Sequence, residues 1–235
     1  LEHLVFKGTQ KYPTNVEVAN AIESVGGTLN AWTDHDHTAY WNIVPRSHAD
    51  TGIELPFELA FRPKIRSADI ERERGVITEE IRMIHDDPAS FVRDVSSQLT
   101  FSGHPLAQPI IGTEETVAAM SHEQFSRYRQ RFYGASQSVL VVAGDLTAEK
   151  IKPAQQLSDE IPSGEIAGTA PPTQPSKNQV TLRTKPTDQT HFVLATADPT
   201  LGLVSETDRH TLTVLNTILG RGMSSRLFCE VRERQ

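Results

Sequence analysis

The chain has 235 residues, 37% hydrophobic and 23% charged, with 23 Lys plus Arg against 30 Asp plus Glu and a formal net charge of −7. That is enough for one large domain, or one domain and part of a second, and the acidic balance argues against nucleic-acid binding. No apolar run reaches the roughly 18 residues that a membrane-spanning helix requires, and the single cysteine, Cys229, excludes an internal disulfide and a thiolate metal cluster.

The sequence opens LEHLVFKG, without a start methionine. Leu1 to Lys7 read as the last turns of a helix, closed by Gly8 as a left-handed cap. Thr14 and Glu17 form a T-x-x-E capping box opening a helix that stops at Gly26-Gly27. TLNAWTD and HTAYWNIV are β-rich and roughly alternating, which predicts a strand pair. HADTGIELPFELAF predicts a helix that Pro56 should kink or split. Ser67 is expected to cap the longest helical run, ADIERERGVITEEIRMIHDD, which stops near Pro88; ASFVRDVSSQLTF is a further helix and SGHPLAQPIIG a loop. Ser121 and Gln124 form a second capping box ahead of HEQFSRYRQRFY. QSVLVVAGD reads as a buried strand, and TAEKIKPAQQL as a helix disturbed by Pro153.

Residues 159–178, DEIPSGEIAGTAPPTQPSKN, have linker composition. Beyond them QVTLRTKP and THFVLATAD read as strands, ETDRHTLTVLNTIL as a helix stopped by Gly220, and SSRLFCEVRERQ as the start of another helix. The expected fold class is α+β. The expected division is a first domain over 1–160 of mixed or antiparallel sheet with packed helices, a linker over 161–178, and the start of a second α+β unit over 179–235.

Any metal must be held by His and carboxylate, which draws attention to Glu2-His3 and the long acidic helix. Glu73 and Glu80 are seven residues apart, about two helical turns, so they share a face; Glu79 points elsewhere. Imidazole and carboxylate ligands that leave one position open for water are what a catalytic zinc site needs. On these residues alone, a chance Glu-His pair beside a solvated acidic helix is the readier reading. His35 and His37 are two apart, and His85-Asp86-Asp87 could join them as a second metal site; the alternative is polar residues at a strand turn and a helix end. His104 reads as a loop residue, Cys229 as a small core residue. GRGMSS lacks the Lys of a phosphate-binding loop and follows a helix rather than a strand.

LEHLVFKGT resembles the continuation of the H-x-x-E-H zinc helix of the insulinase/pitrilysin metallopeptidases, the inverzincins. YPT…AIESVGGTLNAWT, ERERGVITEEIRMIHDDP, HPLAQPIIGTEETV and GRGMSSRLFCEVRER resemble family blocks in family order, over nearly the whole chain. The branch they resemble is that of the shorter bacterial members and the β subunit of the mitochondrial processing peptidase. Arg221 stands where a Gly is common, and Pro56 and Pro153 fall within helices.

The resemblance implies a zinc-dependent endopeptidase acting on extended peptides. Glu2 matches the general base, His3 the second imidazole ligand, Glu80 the distal carboxylate ligand and Glu73 a supporting acid. Asn30 and Ala31 match the strand that pairs with substrate by β-augmentation. The first His of the motif would stand four residues before His3, ahead of Leu1, so the chain is expected to be a fragment cut inside the motif and lacking the opening strands. A second family half or partner subunit is expected to close a chamber around substrate. The alternatives are a non-catalytic family subunit that binds peptides or scaffolds a complex, and an unrelated α+β binding domain. The expected compartment is the cytoplasm, with the mitochondrial matrix or periplasm as alternatives.

Overall fold

The computed structural model describes residues 1–145, 147–165, 168, 179–195 and 205–234. In chain order the elements are α1 (Glu2–Val5), α2 (Asn15–Glu23), β1 (Thr28–Thr33), β2 (Thr38–Ile43), α3 (Ala49–Phe61), α4 (Ser67–Asp86), α5 (Pro88–Thr100), α6 (Glu114–Ala119), α7 (His122–Phe132), α8 (Ala148–Asp159) and α9 (Glu206–Gly220). A π-helical segment, Phe228–Glu233, follows. The fold is α+β: helices and a small antiparallel sheet, which among the described residues is the pair β1–β2, with Thr28 opposite Ile43 and Thr33 opposite Thr38. No helix among the described residues is long and apolar enough to cross a membrane.

The capping box opens α2 as read: Glu17 N donates to Thr14 Oγ1 at 3.3 Å, and Thr14 N donates to Glu17 Oε2 at 2.9 Å. Behind α2, a Cβ on Gly27 would lie 2.6 Å from the Ile43 carbonyl oxygen, so the hairpin can press onto α2 only because that residue has no side chain. Val5, Val18, Ile22, Leu55 and Leu59 form one buried cluster, joining α1, α2 and α3 beneath Leu29 and Tyr40 of the hairpin. Ile53, Phe57 and Ala154 form a second, which seats α8 on the opposite stripe of α3. Each stripe of α3 repeats at i, i+4, the spacing that puts residues on one helical face.

Several expectations change. Gly8 has φ +143°, but the α1 cap is Phe6 in a right-handed conformation; what Gly8 permits is contact with Pro13, whose carbonyl oxygen would lie 2.3 Å from a Cβ. Ser67 is the first residue of α4, not its cap: Arg66 holds that position with no side-chain cap, and Asp69 supplies the favourable negative charge in the first turn. Pro56 does not split α3. The carbonyl it orphans, that of Gly52 four residues earlier, accepts 2.8 Å from Asn42 Nδ2 of β2. α8 likewise runs on through Pro153.

The buried strand expected at 137–145 is absent. Ala135–Gln137 is a short 3₁₀ turn, and 138–143 carry no ladder bonds, with Val139 88% and Val141 81% exposed. The strands expected at 179–186 and 190–198 are also absent from the described residues 179–195, where Val180, Leu182, Phe192 and Leu194 are exposed; 196–198 lie outside the described residues. β-propensity reports fitness for a pleated, half-buried surface, and a strand exists only where a partner supplies it. α6 is an element that the sequence reading lacks; a third capping box, Thr113 with Thr116, opens it. Of the expected linker, 166–167 and 169–178 lie outside the described residues.

Candidate active site

α1 lies against α4, and its first residues face the stretch that carries Glu73 and Glu80. His3 is held between them: Nδ1 stands 3.2 Å from Glu73 Oε2, and Nε2 stands 3.7 Å from Glu80 Oε2. An ionised carboxylate only accepts, so a hydrogen bond from His3 to Glu73 puts a proton on Nδ1, the arrangement that leaves Nε2 of a neutral ring as the ligating nitrogen. Such an outer carboxylate fixes both the tautomer and the orientation of a metal-ligating imidazole. Glu73 is 6% exposed, and its other oxygen, Oε1, lies 2.6 Å from Lys7 Nζ.

Glu2, beside His3 on α1, accepts a short hydrogen bond at Oε2 from Thr33 Oγ1 at the end of β1. A cleft of about 850 Å³ opens here, with Glu2, His3, Thr33, His35, Glu73 and Glu80 in its wall. Its lining carries four acids, Glu2, Glu73, Glu80 and Asp94, against the single guanidinium of Arg74, a negative wall suited to a cation. Glu79 is elsewhere: it pairs with Arg82 at 2.6 Å, and Arg82 pairs in turn with Glu114 of α6.

The donor chemistry fits zinc. Zn–N and Zn–O bonds of about 2.0–2.2 Å place two tetrahedral ligands roughly 3.3–3.6 Å apart, and His3 Nε2 and Glu80 Oε2 are 3.7 Å apart. Among the described residues, no group of three His, Cys, Asp or Glu side chains is arranged to hold a metal, so His3 and Glu80 form a converging pair rather than a full set.

Asn30 and Ala31 lie on β1. Asp34 N donates to His37 O, continuing the ladder, so Leu29, Ala31 and Thr33 turn their backbone groups away from β2. Ala31 N is instead met by its neighbour's side chain, Asn30 Oδ1, at 2.8 Å. The second metal grouping does not assemble. His37 pairs with Asp36 and meets the Trp32 ring edge-on, while His85 packs against Phe91 at the end of α4. Thr33 and Lys7 escape a reading of the sequence because their partners are 31 and 66 residues away in the chain; only the fold brings them together.

The family model described as insulinase (peptidase family M16) matches residues 1–114, and that described as peptidase M16 inactive domain matches residues 119–235. An uncharacterized zinc protease of Mycobacterium leprae is 35% identical over 240 residues, covering 99% of this chain and 53% of that protein. The uncharacterized zinc protease YmxG of Bacillus subtilis is 33% identical over 235 residues, covering 99% of this chain and 56% of its own length. The chain therefore spans little more than half the length of these relatives. A protease from Helicobacter pylori superposes with a TM-score of 0.79 at 20% identity, over 99% of this chain and 57% of that one, which establishes the shared fold. The two family matches, in order and nearly end to end, place the chain in the insulinase family of peptidases, M16.

Proposed function

We propose that the protein is a zinc-dependent endopeptidase that hydrolyses extended peptides. The observation that carries this reading is His3 standing between Glu73 and Glu80, with Glu2 next to it and aimed by Thr33. His3 and Glu80 would hold the metal, leaving its other positions to a further ligand and to water. Zinc held there supplies Lewis-acid polarisation of a carbonyl and of water.

The chain's own residues do the rest. Thr33 occupies Glu2 Oε2, leaving Oε1 as the oxygen that takes a proton from the attacking water and passes it to the departing amine nitrogen. Glu73 keeps the proton on His3 Nδ1, so that Nε2 stays a ligand. The outward edge of β1 offers the backbone of Ala31 to an extended peptide, and Asn30 must release the Ala31 amide as the peptide's carbonyl arrives. Backbone pairing of this kind gives affinity without a strict sequence requirement. A second family half or partner subunit would close the chamber. We further propose the division into a unit over 1–160, a linker over 161–178 and a second unit over 179–235.

Glu2→Gln in the full-length protein tests the role of the base. Zinc should stay bound while peptide turnover drops about 10²–10⁴-fold, the usual contribution of a general base. Retained turnover in a zinc-loaded variant would remove Glu2 from the mechanism. A wild-type protein that binds zinc and peptide but cleaves nothing would identify the non-catalytic subunit instead.

A further inference from the structure

The two oxygens of Glu73 serve different partners. Oε2 faces His3 Nδ1 at 3.2 Å, and Oε1 faces Lys7 Nζ at 2.6 Å. We infer that Lys7 is a positioning residue of the metal centre, acting through Glu73 to hold the His3 imidazole in its ligating orientation. This rests on the zinc-site reading above.

The terminal torsion of a Glu side chain is soft and broadly two-fold, so a contact at one oxygen does not fix the plane of the carboxylate. A second contact at the other oxygen does. The same contact meets an electrostatic need. A carboxylate taken out of water is costly unless it is paired and its lone pairs are satisfied, and an imidazole at Oε2 that ligates a metal is neutral and supplies no full charge. Lys7 supplies it.

Lys7 is also well anchored. Its amide donates to Leu4 O at 3.1 Å, and its carbonyl accepts from Arg66 Nη1 at 3.4 Å. The next carbonyl, that of Gly8, accepts from Lys64 N at 2.8 Å, and Thr9 beyond it is fully buried. Arg66 is the residue from which α4 starts, and Glu73 lies two turns along that helix. The backbone beneath the ammonium group is thus tied to the same helix that presents Glu73. The Lys7–Glu73 pair is a product of the fold rather than a chance meeting of two long side chains at the surface.

The test is zinc affinity, measured by competition with a chelator on the full-length protein, in wild type, Lys7→Met, Lys7→Arg, Glu73→Gln and the Lys7→Met/Glu73→Gln double variant. Outer residues that orient a metal ligand are typically worth 10–100-fold in affinity, and Lys7→Met should weaken zinc by about 10-fold. Lys7→Arg, which keeps the cation, should restore most of it. In the Glu73→Gln background, Lys7→Met should cost nothing further, because the group it acts through has lost its charge. A purely structural role would weaken zinc equally in both backgrounds, and that result overturns the inference, as does unchanged affinity in Lys7→Met. If Lys7→Met does not fold, Lys7→Gln carries the same comparison. A wild-type protein with no zinc affinity fails differently: it overturns the metal-site reading itself.

Discussion

Glu79 and Glu80 are neighbours in sequence with different surroundings, and that difference can be read by experiment. Glu80 turns its carboxylate to His3, whereas Glu79 is engaged by Arg82 on another face of α4. Glu80→Gln replaces an anionic ligand with a neutral amide and should lower zinc affinity by more than about 10-fold. Glu79→Gln loses only an exposed ion pair, worth roughly 0–1 kcal/mol, and should leave zinc unchanged. Equal zinc loss in the two variants would sink the ligand assignment. Much of this site is legible in the sequence. The seven-residue spacing puts Glu73 and Glu80 on one face by helix geometry alone, and Glu2 needs only its place beside His3. What the sequence does not show is how the carboxylates are held. Thr33 and Lys7 are ordinary residues until the hairpin and α4 are folded against α1, and no local pattern marks them.

At the scale of elements, signals internal to one segment transfer well. The capping boxes at Thr14 and Ser121 are both formed, and Gly220 ends α9. Signals that need a partner transfer only where the partner is adjacent: the β1–β2 hairpin forms as predicted, whereas 138–143, 179–186 and 190–195 have strand-like patterns and no ladder. α3 shows a partner acting the other way, since Asn42 of β2 repairs the helix that Pro56 should have broken. Asn42→Ala should leave the Gly52 carbonyl without its donor and cost about 1–3 kcal/mol in urea unfolding. Restoring the missing amide with Pro56→Ala should make the same Asn42→Ala change nearly neutral. If Asn42→Ala costs as much in the Pro56→Ala background as it does beside the native proline, the hydrogen bond is not what carries α3 across that position.

At the scale of the whole molecule, the two family models meet between residues 114 and 119, whereas the division we propose falls after α8. Packing favours the later cut. α8 seats Ala154, 3% exposed, between Ile53 and Phe57 of α3. α7 sends Arg129 to the Phe61 carbonyl at 2.9 Å, and Tyr133 just beyond it meets the Tyr40 hydroxyl at 3.1 Å. His122 reaches the Ile65 carbonyl at 2.9 Å. Segments from 122 to 159 are therefore built onto elements that precede residue 114. Both tryptophans of the chain, Trp32 and Trp41, lie in the β1–β2 hairpin, so tryptophan fluorescence reports the unfolding of the first unit alone. Ala154→Asp puts a charge into the α3–α8 contact, far from either ring in sequence. A buried unpaired charge is among the few single changes that cost several kcal/mol, and this one should destabilise the fluorescence-detected transition by about 2–4 kcal/mol. Leu215→Asp, on a half-exposed position of α9, should leave that transition in place. The reverse pattern, a hairpin indifferent to residue 154 and sensitive to residue 215, would move the boundary of the first unit ahead of α8.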